Sequence, residues 1–142
     1  MPEIELHLHP MLVHFPIALF PSALILYVFG IVLKKENFRQ AALYVYILGT
    51  LLTPLAVVTG LEEAQEYGLK HPVFYAHRFF AFWVLGLSWV SLPILCFIQR
   101  KKNSWFKAVF LALLIFLTGF VMVAGYHGGR LVYEFAIGIE SH

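Results

Sequence analysis

Four apolar stretches, separated by short polar segments, make up most of the chain. They cover roughly Met11–Leu33, Ala41–Leu61, Phe79–Ile98 and Trp105–Tyr126. A helix needs about 20 mostly apolar residues to cross the hydrocarbon core of a bilayer. Backbone amides inside lipid must be paired within the protein, so each stretch is predicted to be a helix. The pattern predicts an all-α, up-and-down four-helix transmembrane bundle that forms one domain, residues 1–142, in a lipid bilayer.

The distribution of basic residues predicts the orientation of this bundle. Hydrophobic residues make up 61% of the chain and charged residues 13%. The first and third connections carry seven of the ten lysines and arginines, whereas the opposite side carries Lys70, Arg78 and Arg130. Cytoplasmic loops of membrane proteins are enriched in lysine and arginine, so both termini are predicted to be extracytoplasmic. The net charge of +2 is then mostly an orientation signal, and no nucleic-acid partner is expected.

The histidines all lie at or near the predicted extracytoplasmic side. They are His7, His9 and His14 before or in the first helix, His71 and His77 around the start of the third, His127 after the fourth, and His142 at the end. Histidine is the commonest metal ligand and titrates near neutral pH. Any chemistry is therefore predicted on that side. The single Cys96 belongs to no Cys-x-x-Cys-His motif, so a haem would be held non-covalently.

His14 and His77 are the first candidate ligands. Each begins a stripe of small and polar residues at helical spacing, which predicts that both imidazoles face the bundle interior. The first and third helices are predicted to lie diagonally opposite, so the two rings could clamp a haem b, with Arg78 and Arg130 on its propionates. In the alternative reading, these histidines hydrogen-bond backbone carbonyls and brace the helix ends.

His127 and His9 are the other candidates. His127 could replace an axial ligand, bind a metal, bond a quinone carbonyl, or simply sit at a helix end where the dipole favours it. Gly128 and Gly129 are predicted to end the fourth helix there. His9 is assigned to an extended tail. A zinc or copper site is the alternative to haem, and its predicted ligands are His9, His14, His77 and His127. Glu134 is placed to pair with Arg130 if that segment is helical.

The two ends of the chain resemble those of a bacterial membrane-protein family catalogued as domain of unknown function 2231. The opening HPMLVHFPIAL contains its histidine-proline and valine-histidine-phenylalanine-proline pattern, and the closing GYHGGRLVYEFAIGI contains its glycine-glycine and leucine-valine-tyrosine pattern. His77 also looks like a family feature. The family often has a histidine shortly after the closing tyrosine, but here Tyr133 is followed by Glu134 and Phe135. The resemblance implies four membrane helices and no settled activity. Some relatives are fused to cytochrome c or Rieske-type domains, which favours electron transfer.

These observations predict a small b-type cytochrome, or haem-carrying electron-transfer subunit, in the bacterial cytoplasmic membrane. Its site would lie near the extracytoplasmic face. Membrane quinol is the expected electron donor and an external cytochrome the expected acceptor. The alternatives are a non-haem metal-binding or metal-transporting protein and a structural subunit without a cofactor. Homodimers or a larger membrane complex are compatible with the small-residue faces of the helices.

Overall fold

The computed structural model describes residues 8–98 and 104–137, and within them the protein is built of four helices. They are α1 (Leu8–Val32), α2 (Glu36–Glu66), α3 (Pro72–Ile98) and α4 (Ser104–Tyr133). Each is long and apolar enough to cross a membrane. The described residues contain no strand, so the predicted all-α four-helix fold is confirmed. Most helices extend beyond the apolar stretch that predicts them; α3, for example, begins at Pro72, because proline is well suited to a first helical position.

The helices form a bundle in which α1 and α3 lie diagonally opposite, as predicted. Helix α1 packs against α2 and α4, and α3 packs against the same two helices, whereas α1 and α3 have no close backbone contact in the described ranges. Phe20, Tyr46, Leu114 and Leu117 are fully buried at the centre. We call α1 and α2 the first hairpin, and α3 and α4 the second hairpin.

Side-chain hydrogen bonds join the two hairpins in the middle of the bundle. The Tyr46 hydroxyl donates to the carbonyl oxygen of Ser88 at 2.7 Å and lies 2.5 Å from the Ser91 hydroxyl. Trp89 Nε1 donates to the carbonyl oxygen of Thr50 at 3.1 Å. Such bonds contribute to the association of membrane helices, where lipid offers no competing water. They fix the position of α3 against α2.

The prediction that Gly128 and Gly129 end the fourth helix is wrong. Helix α4 continues through both glycines to Tyr133. The chain turns away only afterwards, where Ala136 has a positive φ of 54° and Ile137 N–H donates to the carbonyl oxygen of Leu131. Glycine lowers helix propensity but does not forbid a helix when packing favours one. The packing that Gly128 allows is described with the site below.

The second hairpin repeats the first at a spacing of 68 residues, the interval from His9 to His77. Buried residues of α2 correspond to buried residues of α4 at this spacing: Ala42, Tyr46, Gly49, Thr53 and Ala56 correspond to Phe110, Leu114, Leu117, Val121 and Ala124. The left-handed Gly68 likewise corresponds to the left-handed Ala136. Because both hairpins run in the same direction, they resemble the parallel repeats of some transporters, whose axis lies along the membrane normal.

The repeat is not evident in the sequence, because corresponding side chains are chemically different. Tyr46 corresponds to Leu114, and Phe20 corresponds to Ser88, although all four side chains are fully buried. Burial pattern is therefore shared by the hairpins while residue identity is not. The repeat places the starts of α1 and α3, and the ends of α2 and α4, at the same end of the bundle. We call it the histidine end, after His9 and His77.

Candidate functional site

His9 and His77 meet at the histidine end. The prediction of an extended tail at His9 is wrong, because α1 already begins at Leu8 and His9 lies in its first turn. His77 lies in the second turn of α3. Their ring centroids are 6.1 Å apart, and the ring planes are nearly perpendicular at 84°. Because the two helices lie diagonally opposite, these side chains project across the centre of the bundle toward each other.

Both imidazoles are anchored in the same way. Nδ1 of His9 lies 2.8 Å from the carbonyl oxygen of Ala56, and Nδ1 of His77 lies 2.8 Å from the carbonyl oxygen of Ala124. A carbonyl oxygen can only accept, so Nδ1 carries the proton in each ring. In a neutral imidazole with this tautomer, Nε2 has an unprotonated lone pair. Neither Nε2 has a hydrogen-bond partner within residues 8–98 and 104–137.

A glycine lies beside each ring. A Cβ atom on Gly60 would be 2.5 Å from Cε1 and 2.8 Å from Nδ1 of His9. A Cβ atom on Gly128 would be 3.1 Å from Cε1 of His77 and 3.2 Å from its Nδ1. A side chain at position 60 would therefore push the His9 ring from its place, and one at position 128 would require His77 to move by a few tenths of an ångström. This close approach gives a reason for a glycine at position 128, near the end of α4.

A cavity of about 350 Å³ surrounds the two histidines. All four helices contribute to its lining, which is mostly apolar and includes Ile17, Val57, Phe74 and Val121. Its volume is within the range of small-molecule sites, which are typically apolar with a few placed polar groups. The histidine end thus contains a mostly apolar chamber lined by two imidazoles whose Nε2 atoms have no hydrogen-bond partner among the described residues.

His14 and His127, the other predicted axial ligands, have different surroundings. His14 lines the cavity but is exposed, and its Nδ1 lies 2.5 Å from the carbonyl oxygen of Pro10 in its own helix. His127 is half-buried and does not line the cavity; its ring stacks on Phe80, with 9° between the planes. Its Nδ1 is buried without a hydrogen-bond partner among the described residues. The structure therefore brings His77 together with His9, and the pairing of His77 with His14 stays a prediction.

The two arginines predicted to bind propionates also differ. Arg78 is exposed beside the cavity, and its guanidinium lies 5.6 Å from the ring centroid of Phe74. It has no carboxylate partner in the described part of the chain. Arg130 donates two hydrogen bonds of 2.7 Å to Glu134, so that predicted pair is confirmed. These hydrogen bonds and the charge of Arg130 lower the pKa of Glu134, which directly follows α4.

His71 has a structural role. Its Nδ1 accepts a hydrogen bond of 3.2 Å from the backbone N–H of Val73, as an N-cap residue does. Its ring also packs on Phe135, with the centroids 4.2 Å apart. His7 and His142 lie outside the described residues. Among the residues that are described, no group of three histidine, cysteine, aspartate or glutamate side chains could hold a metal ion.

The sequence contains a signal for this site that hydrophobic periodicity does not include. Each anchoring carbonyl precedes its glycine by four residues, in AVVTG (56–60) and AGYHG (124–128). Each histidine precedes its anchoring alanine by 47 residues. A search for histidines at equal distances from two Ala-x-x-x-Gly segments would have singled out His9 together with His77.

The fold and the site define a four-helix membrane protein with two imidazoles in an apolar chamber at one end. The chain belongs to the family described as predicted membrane protein (DUF2231), whose model matches residues 5–141. The resemblance of the opening and closing motifs to that family is thereby confirmed. No curated protein and no solved structure matches the chain.

Proposed function

We propose that this protein is a small b-type cytochrome or haem-carrying electron-transfer subunit, and that His9 and His77 are the axial ligands. The observation that carries the proposal is the pair of Nε2 atoms without a hydrogen-bond partner among the described residues, on rings fixed by backbone carbonyls, at one mostly apolar cavity. Imidazoles that ligate metals usually donate their other ring N–H to a carbonyl or carboxylate, which fixes tautomer and orientation. Both histidines meet that requirement before any metal is bound.

The distance between the rings favours a single metal ion between them. A metal–imidazole nitrogen bond is about 2.0–2.1 Å long, and the ring centre lies roughly 1 Å behind the nitrogen, so two imidazoles across one ion have centres about 6 Å apart. The observed separation is 6.1 Å. A quinol bridging both rings would need nitrogens roughly 10 Å or more apart, given two hydrogen bonds of about 2.8 Å and the length of the quinol. Quinol is therefore proposed as an electron donor docking elsewhere.

The residues of the chamber have distinct roles in this proposal. The carbonyls of Ala56 and Ala124 hold the rings, and the mostly apolar walls would surround the bound group. Bound haem would supply a metal centre that accepts and releases one electron. Arg78 has no carboxylate partner in the described ranges and is placed to pair with a propionate. Arg130 could pair with a propionate only if it gave up its ion pair with Glu134.

The proposal includes a location and partners. The basic residues between α1 and α2 and between α3 and α4 support a cytoplasmic position for these connections, so the termini and the site are proposed to lie near the extracytoplasmic face of a bacterial inner membrane. An electron from membrane quinol would then pass through the site to an external cytochrome. The protein would do so alone, as a homodimer, or as a subunit of a larger complex.

The number of available ligands favours haem over a zinc or copper site. A zinc or copper ion is usually held by three or four protein ligands, whereas haem iron takes two axial ones. The described residues offer a converging pair and no group of three. His14 and Glu63 line the same cavity and would be the candidate further ligands for a divalent ion.

The test is purification of the full chain in mild detergent, followed by absorption spectroscopy and elemental analysis. We expect one haem per chain, with a Soret band that sharpens on reduction. His9→Ala and His77→Ala should each abolish retention of haem. His14→Ala is the matched control, because His14 lines the cavity but binds its own helix, and it should retain haem at full occupancy.

Each other outcome of this experiment favours a specific alternative. Loss of haem in His14→Ala, with retention in His9→Ala, would restore the pairing of His14 with His77 and overturn the pairing proposed here. Colourless protein with stoichiometric zinc or copper would contradict the haem proposal and favour a metal-binding protein. Colourless protein without metal, even after incubation with haemin, would favour a structural subunit.

A further inference from the structure

The two histidines are held by two copies of one structural device. On α2, the carbonyl of Ala56 accepts from His9 while Gly60, one turn later, leaves room for the ring. On α4, the carbonyl of Ala124 accepts from His77 while Gly128, again one turn later, leaves room for that ring. We call each Ala-x-x-x-Gly segment, with its carbonyl and its open Cα, an imidazole slot.

We propose that Gly60 and Gly128 are positioning residues, and that each hairpin supplies one equivalent half of a ligand site on the axis between the repeats. This inference rests on the proposed two-histidine site, but it does not depend on which metal or cofactor lies there. The inference rests on three pairs of residues that are each 68 positions apart in the two hairpins. They are the histidines His9 and His77, the alanines Ala56 and Ala124 that supply the carbonyls, and the glycines Gly60 and Gly128.

The geometry shows why a glycine is needed in each slot. Residues four apart lie on the same face of a helix, so the Cα of Gly60 lies directly over the carbonyl of Ala56. An imidazole that reaches this carbonyl must lie flat against the helix and therefore against that Cα. A methyl group on Gly60 would be 2.5 Å from Cε1 of His9, a distance at which the ring must move. The hydrogen bond of 2.8 Å would then be broken.

The space beside the ring differs between the two slots, so substitution of the two glycines should have effects of different size. A Cβ atom on Gly128 would be 3.1 Å from Cε1 of His77, so the His77 ring would have to move by only a few tenths of an ångström. We therefore expect Gly60→Ala to have a larger effect than Gly128→Ala. Gly119 on α4 has nothing within 4 Å of its Cβ position and provides the matched control.

The experiment is a pair of double-mutant cycles on full-length protein without added haem, with the unfolding midpoint in detergent as readout. Gly60→Ala should lower the midpoint in the natural background. In the His9→Ala background the same change should raise it, because the ring is gone and alanine is the better helix former. The cycle of Gly128 with His77 should give the same reversal, and Gly119→Ala should raise the midpoint in every background.

A second readout reports on the rings themselves. In ¹⁵N spectra of histidine side chains, Gly60→Ala should abolish the signature of the Nδ1–H tautomer for His9 and leave that of His77 unchanged. If haem binds, its dissociation constant should rise by about tenfold or more, as it does on loss of outer-shell partners. Gly119→Ala should leave both readouts unchanged.

The outcomes separate this inference from the haem proposal. A reversal of sign in both cycles, in a protein that binds no haem, would support the slots and contradict only the haem proposal. An equal effect of Gly60→Ala with and without His9 would overturn the inference, because the glycine would then serve general packing. If Gly60→Ala alone does not fold, recovery in the His9→Ala double variant supports the slots, and failure to recover overturns them.

Discussion

Tyr46→Phe should weaken the bundle by about 1 kcal/mol, because it removes one hydroxyl and leaves the packed ring. Tyr46 is fully buried, and its hydroxyl bonds the carbonyl of Ser88 at 2.7 Å. Hydrogen bonds between membrane helices are worth about 0.6 kcal/mol on average and about 1.7 at most. Ser91 keeps an acceptor, the carbonyl of Leu87 at 2.5 Å, so no buried donor is orphaned. The loss should therefore lie within this range, without the added cost of an unsatisfied buried group.

The assay is reversible unfolding of the full chain in mixed micelles with increasing dodecyl sulfate. An effect of about 1 kcal/mol corresponds to a roughly fivefold change in the ratio of folded to unfolded protein. Tyr44→Phe is the matched control: Tyr44 is two residues away on the same helix, is 68% exposed, and should have no effect. Equal effects of the two variants, or a loss above about 3 kcal/mol for Tyr46→Phe, would refute the argument from the hydrogen bonds of this hydroxyl to Ser88 and Ser91.

Three further changes test separate parts of the structure. Leu114→Ala should cost about 2–5 kcal/mol in the same unfolding assay, because it opens a cavity at a fully buried position, whereas Ile115→Ala, at a 53% exposed neighbour, should cost much less. The pKa of the Glu134 carboxyl, measured by NMR titration, should lie below the usual range of glutamate. The stability from its pair with Arg130 is therefore present near neutral pH and is lost as the pH falls through that lowered pKa. Arg130→Gln should restore the usual pKa, and an unchanged titration would contradict the pair. His71→Ala should cost about 1 kcal/mol and speed amide exchange at the start of α3, whereas His71→Ser should retain most of the cap; equal losses in both variants would exclude a capping role.

The hydrophobic pattern predicted the fold because lipid leaves few alternatives for a long apolar segment. Four such segments with short connections give a four-helix bundle almost irrespective of side-chain detail. The same pattern placed the candidate chemistry at one end, and the described histidines lie there. The helix limits were less predictable, since His9, before the apolar stretch, still lies within the first turn of α1.

The identity of the histidine that meets His77 could not be predicted from helical periodicity. His14 heads a stripe of small residues, and on that ground it was predicted to face inward. The direction of such a stripe depends on the rotation of the whole helix, which is set by packing against α2 and α4 rather than by α1 itself. In the structure Pro16 and Phe20 are buried, and this rotation leaves His14 exposed.

Glycine occurs both where a helix ends and where another side chain packs closely against a helix, and the sequence alone does not separate the two uses. Gly128 and Gly129 form a pair of the kind that often ends helices, so a stop at that point was the natural prediction. Gly128 instead makes room for an imidazole from another helix, a contact distant in sequence. Only the repeat between hairpins, with Gly60 beside His9, distinguishes this use from helix termination.

Electron paramagnetic resonance of the oxidised, haem-loaded protein tests the central claim most directly. Axial imidazoles with nearly perpendicular planes give low-spin ferric haem a highly anisotropic signal, and the planes of His9 and His77 are 84° apart. We predict that signal for the natural protein and for His14→Ala, and its loss in His9→Ala and in His77→Ala. A high-spin signal, the rhombic signal of parallel imidazoles, or an unchanged spectrum in His9→Ala would contradict coordination of haem by this pair.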